Sequence, residues 1–247
     1  MNINIYDDKK ETSHKAAEKA KEILVQTIEE KGMATFVIAT GKSQLDFIDK
    51  LTDFSEIDWS KTVMFHLDEY IGLSENHTAS FRHYLKTNFL SQIDDIGKVY
   101  LIDGENKPEI ECERMNKLIK EYEIDVSFVG IGENGHLAFN DPPADFDTEK
   151  PFIKVKLNEK CRKQQVNEGW FASIEEVPGQ AITMSIHQIM KSKQIICTVP
   201  GRRKAEAVNN CFASEGVSPE FPASILKKHD KTHVFLDEAS ANLIEKM

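Results

Sequence analysis

Residues 126–143 read VSFVGIGENGHLAFNDPP, and the first six of them decide the fold. Val126–Ile131 is a short apolar run, rich in β-branched residues, that breaks into a glycine turn. Runs of this kind suit strands buried on both faces, as in a parallel sheet flanked by helices. Gly130, Gly132 and Gly135 also match the spacing of a dinucleotide-binding turn. That turn should open a helix and be followed by an acidic residue ~20 positions later on a second strand. Here His136 leads into LAFNDPP, and Pro142 and Pro143 argue against a helix. The glycines are better read as letting the backbone wrap a small ligand. No nicotinamide cofactor is expected.

Working outward, the same alternation of apolar run and amphipathic segment fills most of the 247 residues. Strands are predicted over Met33–Ala39, Val63–Leu67, Val99–Ile102, Val126–Ile131, Phe152–Leu157, Ile195–Val199 and His233–Leu236. Helices are predicted over Ser13–Lys31, Gln44–Leu51, Ala79–Leu90, Pro108–Glu121 and Arg203–Phe212. The segment Lys160–Gln180 is expected to be irregular and to cover or flank the site. Strands alternating with helices imply an α/β fold: one doubly wound, mostly parallel, Rossmann-like sheet with helices on both faces. With no repeat, low-complexity tract or linker, residues 1–247 are expected to form a single domain.

The net charge of −10 argues against a nucleic-acid binder, which needs a basic face. Cys112, Cys161, Cys197 and Cys211 are spread without a C-x-x-C pair, so reduced thiols are expected and a metal site is not. The start MNINIYDDKK lacks the apolar stretch of a signal peptide, and no run approaches the ~18–20 apolar residues that span a bilayer. A cytoplasmic location without membrane partners is expected, and homo-oligomerisation is left open.

Ligands of open parallel sheets sit beyond the carboxyl ends of the strands, and four segments converge there. Thr40-Gly41-Lys42-Ser43 follows the MATFVIA strand and leads into a helix, whose free N–H groups favour an anion. It is no P-loop, since Phe36 stands where that motif needs glycine. Asp68 and Glu69 end VMFHL, and as neighbours on an extended chain they should point to opposite sides. His136 is bracketed by Asn134 and Asp141, and an acid bonded to one ring nitrogen fixes the tautomer of the other. Arg202, Arg203 and Lys204 crowd a helix start, which is unfavourable unless an anion lies near.

LDEYIGL (67–73) followed by His77, GIGENGHLAFNDP (130–142), TGKS (40–43) and PGRRKAEAV (200–208) together resemble the glucosamine-6-phosphate deaminases. The resemblance spans most of the chain. It implies isomerising hydrolytic deamination of a 2-amino-2-deoxyhexose 6-phosphate, most simply glucosamine 6-phosphate and water giving fructose 6-phosphate and ammonia, with no cofactor. It implies that Asp68 moves a proton between C2 and C1 of the opened sugar. His136 would help open the ring, with Asn134 and Asp141 as its partners, and Lys204 would join Thr40, Gly41, Lys42 and Ser43 at the phosphate. Three positions depart from the family pattern: Asn134 replaces a common Asp, Asp141 a common Glu, and Lys42 a small residue. The arginine that many relatives carry after this loop has no clear counterpart, the region holding Arg162, Gln164 and Gln165 instead. Two alternatives stay open: a 6-phosphogluconolactonase-like phosphosugar hydrolase, and a non-catalytic sugar-phosphate sensor, for which Asn134 speaks.

Overall fold

The structure is a computed structural model that describes residues 1–213 and 215–244. Its strands are β1 (Asn2–Tyr6), β2 (Ala34–Ile38), β3 (Thr62–His66), β4 (Asp68–Tyr70), β5 (Lys98–Tyr100), β6 (Val126–Val129), β7 (Phe152–Lys156), β8 (Gln180–Met184), β9 (Gln194–Val199) and β10 (Thr232–Asp237). Its α-helices are α1 (Lys9–Lys31), α2 (Leu45–Thr52), α3 (Phe81–Asn88), α4 (Pro108–Ile119), α5 (Glu159–Asn167), α6 (Ile186–Ile189), α7 (Ala205–Phe212) and α8 (Glu238–Ala241). Seven strands form one sheet in the order β1-β10-β9-β6-β2-β3-β5, every pair parallel.

Alternate residues of each strand feed the two faces. Phe36, Ile38, Met64 and Phe128 pack beneath α1, α2 and α3, while Val37, Val63, Phe65 and Val129 pack with residues of α4, α6 and α7. Phe36 is fully buried and meets Trp59, Phe89 and Phe128 at ring separations of 5.7–6.0 Å. Burial of one such ring stabilises the fold by about 1.5–3 kcal/mol. The expected doubly wound sheet with helices on both faces is what forms.

Two expectations need correction. Phe152–Leu157 is a strand, but it lies outside the main sheet: β7 pairs with β8, and β8 with β4, in a separate three-stranded antiparallel sheet. Its alternating burial, unlike the fully buried β2 and β3, fits a sheet with one exposed face. Lys160–Gln180 is not irregular throughout, because α5 occupies its first third with Asn158 as cap, accepting from Cys161 N–H at 2.8 Å. Strands β1, β4 and β8 add to those expected. Helix α1 begins a turn earlier than Ser13, where Asp8 caps it by accepting from Glu11 N–H at 2.8 Å. Helices α6 and α8 were likewise not expected, and the other expected elements end within two residues of expectation.

From β2 the chain proceeds outward to β3 and β5, then returns to β6 on the other side of β2. The direction of winding therefore reverses between β2 and β6. Loops diverge at such a point and leave a crevice at the carboxyl ends of the strands. The antiparallel sheet stands beside this crevice, since β4 follows β3 after one residue, and it forms part of the wall.

Candidate active site

The crevice holds a cavity lined by Thr40, Gly41, Ser43 and Gln44 after β2, and by Leu67 and Asp68 after β3. Gly130, Ile131, Gly132 and His136 line it after β6, and Lys204 after β9. Four adjacent strands and the small sheet thus bring residues some 160 positions apart into one chamber.

Asp68 and Glu69 diverge as strand alternation requires. Asp68 faces the cavity and is 6% exposed. Burial, reinforced by the neighbouring Glu69 charge and opposed by Phe139 N–H, raises its carboxyl to about 8. Such a group gives and takes protons near neutral pH. Glu69 turns the other way, fully buried at the start of α3. It accepts from Ser80 Oγ at 2.8 Å, from the N–H groups of Phe81 and Arg82 at 3.1 and 2.8 Å, and from Arg82 Nε at 3.4 Å. Arg82 continues to Asp103 and Glu105, at 2.9 and 3.1 Å. Glu69 therefore ties β4 to α3.

His136 packs directly over Gly132. A Cβ on Gly132 would stand 2.2 Å from the imidazole Nε2, so only glycine admits the ring there. The Nδ1 of His136 lies 3.2 Å from Asp141 Oδ1. A carboxylate only accepts, so Nδ1 carries the proton and Nε2 is left able to accept one. Asn134 braces this pair: its amide donates to Asp141 Oδ1 at 2.9 Å, and its carbonyl accepts from His136 N–H at 3.1 Å. Asn158 N–H donates to Asp141 Oδ2 at 3.0 Å. Burial pushes the Asp141 carboxyl up, but His136 and these donors outweigh it and hold it below the usual carboxylate range. Asn134 and Asp141 stand behind His136 rather than on the cavity wall.

Among the described residues, His136, Asp141 and Cys161 are the side chains grouped so that they could hold a metal ion, with one donor atom of each within 4.8 Å of the others. The trio suits zinc in kind. However, Asp141 Oδ1 already accepts from two donors, and burial pushes the Cys161 thiol up, away from the thiolate a metal needs. The cluster is better described as a hydrogen-bonded anchor for His136.

Two strand-to-helix turns that reach the cavity are near copies. Gly41, at φ 109° and ψ 160°, opens a 3₁₀ turn over Lys42–Gln44, and Gly201, at φ 100° and ψ 141°, opens another over Arg202–Lys204. Each turn puts its third residue, buried, on the cavity: Gln44 at φ −95°, ψ −8° and Lys204 at φ −91°, ψ −8°. Burial lowers the Lys204 ammonium, partly offset by Glu168 and Glu133. Among the described residues the Lys204 ammonium has no hydrogen-bond or ion-pair partner. A buried, unpartnered cation beside free N–H groups of two turns is a site for an anion.

Other predicted residues lie elsewhere. Lys42 points away from the cavity, its Nζ 5.3 Å above the Trp170 ring. Arg203 is exposed and 3.7 Å from Glu133. Arg162 spends its guanidinium on the carbonyls of Ile174 and Val177, whereas Gln164 and Gln165 line the cavity. His77 stacks on Phe171 outside it. Sequence reading missed Gln44, Phe139 and Glu168. Gln44 was detectable, because it immediately follows a turn already singled out.

A family model described as glucosamine-6-phosphate isomerases/6-phosphogluconolactonase matches residues 7–235. A glucosamine-6-phosphate deaminase of Oenococcus oeni is 36% identical over 232 residues, covering 94% of this chain and 95% of that protein. One of Bacillus pumilus is 34% identical, covering 98% and 100%. The solved structure of a monomeric glucosamine-6-phosphate deaminase superposes with a TM-score of 0.89 at 32% identity, covering 98% of this chain and all of that one. A putative 6-phosphogluconolactonase of Neisseria gonorrhoeae shares the fold at a TM-score of 0.77 and 20% identity, covering 96% and 100%.

Proposed function

The chain belongs to the glucosamine-6-phosphate isomerase/6-phosphogluconolactonase family, and from that premise we propose that it is an enzyme of isomerising deamination, converting glucosamine 6-phosphate and water to fructose 6-phosphate and ammonia. One observation carries the reading: Asp68, His136 and Lys204, from separate strand ends, line one cavity. An amino-sugar phosphate needs proton transfer at C1, C2 and the ring oxygen, with an anion site several atoms away. His136 Nε2 takes the C1 hydroxyl proton and returns one to the ring oxygen, opening the pyranose. Asp68 removes the C2 proton and delivers one to C1, and water then hydrolyses the ketimine at C2. Lys204 and the Thr40-Gly41-Ser43 turn hold the phosphate. Asp68 and His136 exchange only protons in this scheme.

Asn134 gives the sensor reading less support than its sequence position suggested. It sits behind His136, bonded to Asp141 and to the His136 backbone, and both contacts are ones an amide makes naturally. The chain is further proposed to act in the cytoplasm as one domain; no described helix is long and apolar enough to cross a membrane. The test is ammonia release from a panel of 2-amino-2-deoxyhexose 6-phosphates, run beside hydrolysis of 6-phosphogluconolactone. Ammonia from the glucosamine ester is expected. Lactone opening without ammonia would move the assignment to the hydrolases, and binding without either would make the protein a sensor.

A further inference from the structure

Glu168 is an unexpected presence in this cavity. It closes α5 and lines the chamber that also contains Lys204. Its two carboxylate oxygens are held separately: Gln164 Nε2 donates to Oε1 at 2.8 Å, and Trp170 Nε1 donates to Oε2 at 3.2 Å. Each oxygen retains a free acceptor site. No cation lies within ion-pair distance of it among the described residues, although Lys204 feels its charge. A carboxylate fixed in place beside an anion-binding ammonium would repel a fully ionised phosphate. It would welcome one that still carries a proton.

We propose that Glu168 makes this site select a protonated phosphate, accepting a hydrogen bond from a P–OH group while Lys204 neutralises the remaining charge. The inference rests on the assignment of Lys204 to the phosphate end. A phosphate monoester loses its second proton near pH 6, so the ester binds as its monoanion and takes up a proton on entering the site above that pH. The other charged or titratable groups around Glu168 are Arg203 and Glu133 beside Lys204, Cys161 on α5, Tyr70 on β4, and Lys42 over Trp170; Asp68 and His136 face the same cavity. None of them is hydrogen-bonded to the Glu168 carboxylate.

Inorganic phosphate and inorganic sulfate separate the two cases, because sulfate at pH 7 has the same shape and no proton. Dissociation constants for both ions should be measured by calorimetry on the full chain, with Lys204→Ala confirming that binding is at this site. The wild type should prefer phosphate by roughly 10- to 150-fold, the worth of one hydrogen bond to a charged acceptor. In Glu168→Gln the preference should collapse toward unity, with sulfate binding improved. Glu168→Asp, which keeps the charge, should retain the direction of the preference and guards against a folding artefact. Equal affinity for the two ions in the wild type, or an unchanged ratio in folded Glu168→Gln, overturns the proposal. Ammonia release plays no part in this readout. A protein that deaminates without preferring phosphate refutes only the role of Glu168, and one that prefers phosphate without deaminating refutes only the reaction.

Discussion

Asp68 carries the sharpest consequences at the scale of single residues. Its carboxyl is raised to about 8 mainly by burial, so the basic form accumulates only as pH climbs toward that value. The Asp68-dependent limb of kcat/KM for deamination should rise with pH and centre near 8, and Asp68→Asn should lower turnover by ~10²–10⁴-fold. Near-normal turnover in a folded Asp68→Asn would end the proton-transfer role. Stability should move the opposite way. The unfolded carboxyl titrates near ~3.9, so between there and 8 the native state holds a proton that the unfolded state has released. That difference penalises the native state increasingly as pH rises. Asp68→Asn should thus be close to neutral for stability at pH 3–4 and increasingly stabilising toward pH 8, as paired melting curves would read. Asn134 makes a companion case. Its amide touches Asp141 Oδ1 at 2.9 Å, so Asn134→Asp sets two carboxyls against each other and one must stay protonated. The variant should lose stability relative to wild type as pH rises above 4, and a pH-independent difference would contradict that contact.

Among the elements, the junction of β4 and α3 is the most exposed to a single change. Glu69 receives the start of α3 on both its oxygens and faces the buried Arg82. Glu69→Gln should cost about 3 kcal/mol in urea unfolding, the low end for breaking a buried pair, because Asp103 and Glu105 still face Arg82. A change under about 0.5 kcal/mol, the usual range for a surface substitution, would mean that the junction is held by something else. The same two elements show what was legible in the sequence. The central strands β2, β3, β6 and β9 were readable because both faces are buried and the runs are largely apolar, whereas the part-exposed edge strand β1 was not. By contrast β4 is three residues long, two of them acidic, and it exists only because β8 pairs with it from more than a hundred residues away. Helix α5 hides for another reason. Its buried residues are Cys161, Gln164 and Gln165, so it has no apolar stripe to detect, and the polar side chains it buries belong to the cavity.

Over the whole molecule, β1 lies at one edge of the sheet and pairs with β10, joining the two ends of the chain. Removing residues 1–6 would bare the β10 ladder, and such an edge invites pairing with another chain. The shortened protein should melt earlier and self-associate, which light scattering during a thermal ramp would detect; unchanged melting would show that the edge strand contributes little. Motifs at the ends of β2, β3, β6 and β9 were recognisable one at a time, and Asp68, His136 and Lys204 do meet. What the sequence could not supply is direction, which is why Lys42 turns outward and Glu168 inward. The paired turns add a longer view. Gln44 and Lys204 hold the same backbone angles at the same place after a glycine, one neutral and one charged. One codon on either flank therefore sets whether that turn brings a charge into the cavity, while the peptide path stays fixed. A lineage built on this scaffold can drift between anionic and uncharged ligands by point mutation, without redesigning its architecture.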